Sequence, residues 1–555
     1  MMDESIPSIL KNPGAVKILN RDQKLLKWIS SVDHKQIGIM YLLLALVFLV
    51  IGGGEAILMR TQLAIPNNHF LSPEAYNQIF TMHGTTMVFL VAMPAIFGFG
   101  NYMVPLMIGA NDMAFPRLNA FSFWMTLFGG GLLYFSFLAG GGPDAGWFNY
   151  APLNEYNYSS RQGIDYFAIG LLVAGIGSVG GAINFIVTIY YYRAKGMKLH
   201  MVPLFVWMIF VDSFLILATF PPLNAALAMI EMDRLFHAHF FNSQSGGSAL
   251  LWQHLFWLFG HPEVYVAMLP AFGIFSEVFQ TFSRKPIFSY AIIASSSVAI
   301  ALLAFGVWVH HMFTAGLGNT VNSFFAASSM LIAIPTGIKV FSWVATMYGG
   351  SIRFSVPMMF GIAFLIQFTF GGLTGVAFAI VPIDWQLTDT YFVVAHFHYM
   401  FIGGAVFGLM AGLFYWYPKI TGKMLDEKLS KWVFWLFTIG FNTTFLIQHA
   451  LGLIGLPRRV WTYPDLPGYG SMNFISTIGA YMMGVAALIL VWAIMKARKN
   501  GVAAGRDPWD GVTLEWYADP SSGEKNFDKI PLIKSRRPMW DWKHPDDPDW
   551  KRETY

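Results

Sequence analysis

Residues 390–417 read TYFVVAHFHYMFIGGAVFGLMAGLFYWY, with no Lys, Arg, Asp or Glu among them. A helix rises about 1.5 Å per residue, so about 20 residues cross a hydrocarbon core roughly 30 Å thick. This stretch is long enough to span a bilayer. Yet it carries two histidines, His396 and His398, at a depth where polar side chains are costly. It reads as a membrane helix whose imidazoles hold something.

The same signature recurs along the chain. The 555 residues are 55% hydrophobic and 12% charged, about half the charge of a soluble domain. By length and apolarity there are about twelve spans. They lie near 37–58, 79–108, 120–140, 165–190, 203–229, 250–280, 290–312, 323–345, 356–381, 390–417, 431–455 and 472–496. The expected fold class is an all-α integral membrane protein, its transmembrane helices gathered in one bundle.

Lys and Arg orient that bundle. Lys11, Lys17, Arg21, Lys24, Lys27 and Lys35 precede the first span, and Arg193, Lys195, Lys198, Arg284 and Lys285 fall on the same side. So do Lys419, Lys423, Lys428, Lys431, Lys496, Arg498 and Lys499, whereas the opposite loops carry Arg60, Arg161, Arg234, Arg458 and Arg459. The positive-inside rule then puts both termini in the cytoplasm. The expected organisation is a cytoplasmic tail over 1–36, a membrane domain over 37–496 and a surface-draped cytoplasmic tail over 497–555. No charged, then apolar, then small-residue pattern opens the chain, so no cleaved signal peptide is expected. The chain has no cysteine, which excludes disulfides, Fe–S clusters and thiolate metal sites. The clusters Gly52-Gly53-Gly54 and Gly129-Gly130-Gly131 are expected to let helices approach closely.

Six histidines fall inside four spans: His83, His261, His310, His311, His396 and His398. At 100° per residue, His396 and His398 point about 200° apart. They cannot bind one ion, but they can serve two centres on opposite sides of one helix. One of them can pair with His83 as a bis-histidine haem, while the other leaves its iron a vacant position. His310, His311 and His261 can converge on one ion, and three imidazoles without a thiolate suit copper or zinc. Tyr265 lies four residues after His261, on the same helical face, as a candidate electron and proton donor. His34, His69, His200, His237, His239 and His544 fall in tails or loops and read as solvated surface. His254 and His449, near span ends, receive no role.

Several segments resemble subunit I of the haem–copper oxidases, in its cytochrome c oxidase branch. They are Trp257-Leu-Phe-Gly-His261-Pro-Glu263-Val-Tyr265, Trp308-Val-His310-His311-Met312-Phe, Ile334-Pro-Thr336-Gly-Ile-Lys339-Val-Phe-Ser342-Trp and Val394-Ala-His396-Phe-His398-Tyr. Asp112-Met-Ala-Phe-Pro-Arg117-Leu-Asn119 and Pro457-Arg458-Arg459 belong with them. The resemblance implies a low-spin haem on His83 and His398 and an oxygen-binding haem on His396. It implies a copper ion on His261, His310 and His311, with Tyr265 covalently joined to His261. Arg458 and Arg459 would pair with haem propionates, Arg60 would face the low-spin haem's formyl group, and Trp147 would line a cofactor. Haem A is the expected haem type. A proton route would run from Asp112 past Asn101, Asn119, Asn184 and Ser178 to Glu263, and a second through Thr336, Lys339 and Ser342 toward Tyr265.

The implied activity is reduction of oxygen to water in a bacterial cell membrane, coupled to proton pumping. The partners implied are a subunit II carrying a dinuclear copper centre, a subunit III and cytochrome c, with no nucleic acid. Where many relatives have His-Asp before the tenth span, this chain has Thr388-Asp389, which leaves Asp389 as a doubtful magnesium ligand. Gln62 replaces the Glu that holds calcium in some relatives, so calcium is not expected. Quinol oxidases carry an Arg, an Asp and a His at positions that here read Ile51, Glu55 and Ala75, which favours cytochrome c over quinol. The alternatives are a quinol oxidase, a nitric oxide reductase, which Tyr265 and Lys339 disfavour, and a non-redox proton transporter.

Overall fold

The computed structural model describes residues 21–519 and 525–549. The basic residues Lys11 and Lys17 lie outside them. Twelve helices carry the architecture. In chain order they are α1 His34–Gln62, α2 Pro73–Ile108, α3 Pro116–Phe135, α4 Gly163–Tyr191, α5 Leu204–Phe236 and α6 Ala249–Ser283. Then come α7 Tyr290–Ala304, α8 Asn319–Met347, α9 Val356–Phe378, α10 Tyr391–Thr421, α11 Glu427–Leu453 and α12 Tyr469–Asn500. Every expected stretch therefore contains a helix, and no strand runs among the described residues beyond two isolated bridges. Ten of the helices are long and apolar enough to cross a membrane. The two outside that set are α7, with 15 residues, and α11, where Asn442, Gln448 and His449 interrupt the apolar run.

The seventh stretch corrects the sequence reading. It ends at Ala304 rather than near 312, because the chain turns at Gly306, whose N–H donates to the Leu303 carbonyl at 2.8 Å. Trp308–His311 then forms a 3₁₀ turn, so His310 and His311 are presented by a turn and not by an α-helix. Two long helices are locally underwound to π geometry, α2 at Thr86–Ala92 and α10 at Phe401–Val406. Each π stretch begins three residues after a histidine of interest, His83 and His398. Such insertions are frequent at functional sites. In α8 the helix steps at Ile332, before Pro335, which lacks the N–H an uninterrupted helix would use.

Sequence neighbours pack as antiparallel pairs: α1 with α2, α3 with α4, α4 with α5, α5 with α6 and α11 with α12. Small residues set the closest crossings. A Cβ added to Gly129 would lie 2.5 Å from the Gly170 carbonyl oxygen, and one on Gly479 would lie 2.6 Å from that of Gly440. Gly52 backs onto Thr86, and Gly130 onto Leu90, whereas Gly53, Gly54 and Gly131 face open space. The tail after α12 is more than a surface drape. Leu514, Glu515 and Trp516 are buried, and Trp516 Nε1 donates to the Tyr415 hydroxyl at 3.1 Å. Lys419 Nζ donates to the Ala518 carbonyl at 2.7 Å.

The Gly440–Gly479 crossing should not tolerate a side chain. Gly479→Val is expected to cost roughly 1–3 kcal/mol by overpacking, while Gly131→Ala stays within about 0.5 kcal/mol of the parent. Thermal unfolding of the detergent-solubilised variants measures the difference.

Candidate metal centre

His261 comes from mid-α6, and His310 and His311 from the 3₁₀ turn that follows α7. The turn folds back onto α6, and one ligand atom from each ring lies within 4.8 Å of the others. His261 Nδ1 is 3.3 Å from His311 Nε2, which is 3.1 Å from His310 Nε2. The His261 and His310 rings stand nearly perpendicular, with centroids 4.5 Å apart. His311 stacks flat on Trp257 at 3.8 Å. Three nitrogens meeting without thiolate or carboxylate are a donor set for copper or zinc. The other ring nitrogen of His261, Nε2, is buried without a partner. Tyr265 stands beside that ring, 4.9 Å between centroids.

The remaining core histidines share one device. A neutral imidazole has one N–H and one lone pair, so whatever fixes the N–H aims the lone pair. His83 Nδ1 donates to the Gly52 carbonyl at 2.8 Å, and His398 Nδ1 to the Val394 carbonyl at 2.7 Å. His396 Nδ1 meets the Thr374 hydroxyl at 2.9 Å. That hydroxyl's own proton goes to the Gly371 carbonyl at 2.8 Å, so the hydroxyl accepts and the ring donates. His310 Nδ1 meets Ser329 Oγ at 2.8 Å, and the serine's proton goes to the Phe325 carbonyl at 2.5 Å. In all four rings Nε2 is left as the lone pair.

The two histidines of α10 face different partners. His398 lies within electrostatic reach of His83, and His396 within reach of His310 and His311. A Cβ on Gly375 would come within 3.0 Å of His396 Cε1, so this glycine keeps space beside the ring. Trp147 packs on Gly84, next to His83. Arg60, at the end of α1, is buried. Its Nη2 is held by Asn473 and Thr477 at 2.8–3.1 Å, while Nε and Nη1 have no partner. A buried guanidinium with two unused donors fits an acceptor supplied by a bound group. Arg458 and Arg459 follow α11, both over the Phe148 ring. Burial, and then the neighbouring Arg458, pull Arg459 down to about 10. Asp389 is engaged by Arg458, Nη2 to Oδ1 2.9 Å. Gln62 is fully used, donating to the Asn68 and Trp461 carbonyls and accepting from Leu71 N–H.

Deeper in the bundle lie the residues expected to move protons. Glu263 is buried with neither oxygen partnered. Asn101 Oδ1 and Asn119 Nδ2 are likewise buried and free, Asn184 braces the Phe115 backbone, and Ser178 donates to the Ala174 carbonyl. Orphaned buried polar atoms are places where water is held. Asp112 caps its own turn through Met113 N–H at 2.7 Å. Lys339 is fully buried, with Nζ donating to Ser297 Oγ at 2.5 Å and to the Ile293 carbonyl at 2.8 Å. Thr336 and Ser342 donate back along their own helix.

Sequence reasoning missed Ser297, Ser329, Thr374 and Ser122. Hydroxyls at helical spacing from the singled-out residues are a weak signal, although Ser122 stands one turn after Asn119 and its Oγ is unpartnered. One assignment is reversed. His34 is not solvated surface but fully buried, with Nδ1 donating to the Asn101 carbonyl at 2.7 Å and Nε2 facing Asn526. The tail that covers it is remote in sequence, so its burial is invisible locally. His69, His200, His237, His239 and His544 are exposed as expected. His449 is buried against Phe370, Phe392 and Tyr399.

Comparison with known proteins gives the family. Residues 36–482 match the family described as Cytochrome C and Quinol oxidase polypeptide I. Cytochrome c oxidase subunit 1 of Bacillus sp. (strain PS3) is 51% identical over 514 residues, covering 92% of this chain and 83% of the relative. Quinol oxidase subunit 1 of Bacillus subtilis (strain 168) is 48% identical over 513 residues, covering 92% and 79%. A cryo-EM structure of a heme-copper terminal oxidase dimer shares the fold with a TM-score of 0.73 at 19% identity, over 90% of this chain and 95% of that one.

Burial raises the Asp112 carboxyl to about 6. Its folded state therefore holds a proton that the unfolded chain has lost, and this contribution to stability fades as pH rises from about 4 through 6. Asp112→Asn is expected to unfold at a higher temperature than the parent at pH 8, with the difference vanishing near pH 4. Thermal unfolding at the two pH values checks it.

Proposed function

This chain belongs to the cytochrome c and quinol oxidase polypeptide I family, and on that premise we propose that its histidines hold two haems and a copper ion at which electrons from cytochrome c reduce oxygen to water. It is subunit I of a haem–copper terminal oxidase. The observation that carries the site assignment is the division of labour along α10. His398 lies within electrostatic reach of His83, and His396 within that of His310 and His311, which cluster with His261. His83 and His398 hold the low-spin haem, His396 the oxygen-binding haem, and the three clustered histidines the copper. When bound, these metals supply the redox chemistry. The chain supplies orientation and protons.

Each Nδ1 bond to a backbone or hydroxyl oxygen fixes a ring so that Nε2 is the ligand atom. Arg60 offers its two unused donors to a haem substituent, consistent with the formyl of haem A, beside the cofactor face that Trp147 lines. Arg458 and Arg459 offer charge to propionates, and Arg458 at the same time takes up Asp389, which argues against magnesium there. Calcium has no free carboxylate at Gln62. The orphaned Nε2 of His261 and the adjacent Tyr265 ring suit a covalent His–Tyr link. From that position Tyr265 donates a proton and an electron.

Protons enter at Asp112 and pass Asn101, Asn119, Asn184 and Ser178 to Glu263. A second supply runs through Thr336, Lys339 and Ser342 toward Tyr265. The route through Glu263 also serves pumping. The twelve helices all cross a bacterial cell membrane, with 1–36 and 497–555 cytoplasmic and 37–496 embedded. Partners are a subunit II with a dinuclear copper centre and a subunit III. Cytochrome c is preferred as donor because Ile51, Glu55 and Ala75 stand at the quinol-binding positions. A quinol donor is the second reading, favoured by the 48% identity to a quinol oxidase subunit 1.

The purified complex should contain two haems and one copper per copy of this chain by optical spectra and metal analysis, and it should turn over faster with reduced cytochrome c than with quinol. Ser329→Ala, which frees the His310 ring, should weaken copper retention by about tenfold or more. A preparation with no haem would overturn the reading.

A further inference from the structure

One buried acid in the bundle has no part in the site so far described. Asp212 lies mid-α5, 2% exposed, with Oδ1 shut from solvent and unpartnered. Two contacts fix how α5 lies against α6. A Cβ on Gly273 would be 2.6 Å from Phe205 Cα, and the Phe220 and Phe259 rings are 5.5 Å apart. Because the helices run antiparallel, interpolating between these contacts sets Asp212 level with Val266. Asp212 is seven residues from Phe205, nearly two full turns, so it shares the face that meets α6. Glu263 is three residues from Val266, about 4.5 Å along the α6 axis, toward the end where α6 begins. The two carboxyls are close enough for their charges to interact.

Asp212 therefore lies beneath Glu263, on the side of Arg284 and Lys285, where α6 ends. Asn101, late in α2, and Asn119 and Ser122, early in α3, belong to that same half of the bundle, and their Oδ1, Nδ2 and Oγ are unpartnered. An unpaired carboxyl in a helix core is costly and adds little packing that Val or Thr would not. What it offers beyond a Thr hydroxyl is a proton it can release and two oxygens, one able to take up a proton while the other gives one away.

We propose that Asp212 is a proton-relaying residue of the oxidase, the step immediately before Glu263. This rests on the reading of Glu263 as the inner end of the proton route. The step is balanced: a proton binds one carboxyl oxygen as the proton on the other passes onward, and rotation of the group restores the start. No oxidant or reductant takes part.

The test uses the whole complex with Asp212→Asn, which keeps size and burial but cannot exchange a proton, beside Asp212→Glu and Glu263→Gln. The expected result is oxygen reduction slowed by about tenfold or more in Asp212→Asn, with an enlarged solvent deuterium isotope effect, unchanged haem spectra and recovery in Asp212→Glu. Wild-type turnover and proton uptake in Asp212→Asn, with Glu263→Gln impaired, would overturn the relay alone. Full activity in both would instead overturn the reading of Glu263. Should Asp212→Asn fail to assemble, infrared difference spectra of the parent grown with ¹³C-labelled Asp decide. A turnover-linked carboxyl C=O band that moves with the label in the parent but not in Asp212→Glu supports the relay, and a band that moves in both, or none at all, overturns it.

Discussion

A neutral imidazole inside a bilayer must place its single N–H on an oxygen, because no solvent is there to take it. Wherever that oxygen stands, the lone pair is aimed across the ring. In this bundle the oxygens are those of Gly52, Val394, Thr374 and Ser329, and they come from α1, α10 itself, α9 and α8. Four helices thus set four ring orientations. Helix packing and ring orientation are one problem, and a shift in a crossing rotates an imidazole proposed as a metal ligand. The narrow Gly129–Gly170 and Gly440–Gly479 contacts matter to the site for this reason, although none of them touches it.

Much of this was legible in the sequence, because the bilayer imposes rules that act locally. Apolar length marked most of the helices, and the 200° offset of His396 and His398 sets their rings on opposite sides of one helix. What was not legible depends on chain remote in sequence. Gly306 stops α7 early, so the His310–His311 pair converges through a turn and not through the helical geometry that adjacent residues would have. His34 looked like a tail residue, and only the return of Asn526 over the helix ends buries it. Asp212 sits in an otherwise apolar run, and it acquires meaning only when α6 is laid against it. The hydroxyls that anchor the rings, Thr374 and Ser329, resemble any other membrane hydroxyl until their acceptors are seen.

The end of the bundle that carries the tail is built as tightly as the centre. The tail residues Leu514, Glu515 and Trp516 are enclosed with Tyr415 and Trp416 of α10. Farther along, Asn526 bonds the Ala110 and Asn111 carbonyls that precede Asp112 and also faces His34. The loop bearing Asp112 is therefore clamped from outside by chain more than 400 residues away. A short loop held on both sides keeps one carboxyl at a fixed depth, half in and half out of water, and this partial burial lifts its affinity for protons.

The π stretch in α2 has a geometrical result that reaches past its own residues. In an unbroken α-helix, His83 and Asn101 would be five whole turns apart and would look in the same direction. The wider winding over Thr86–Ala92 absorbs one residue, which turns the two halves of the rod against each other by about 100°. One helix can then show its histidine to one compartment of the bundle and its asparagine to another. The rod acts like a crankshaft with two throws set out of phase, and removing a single residue from the wide turn would bring them back into line.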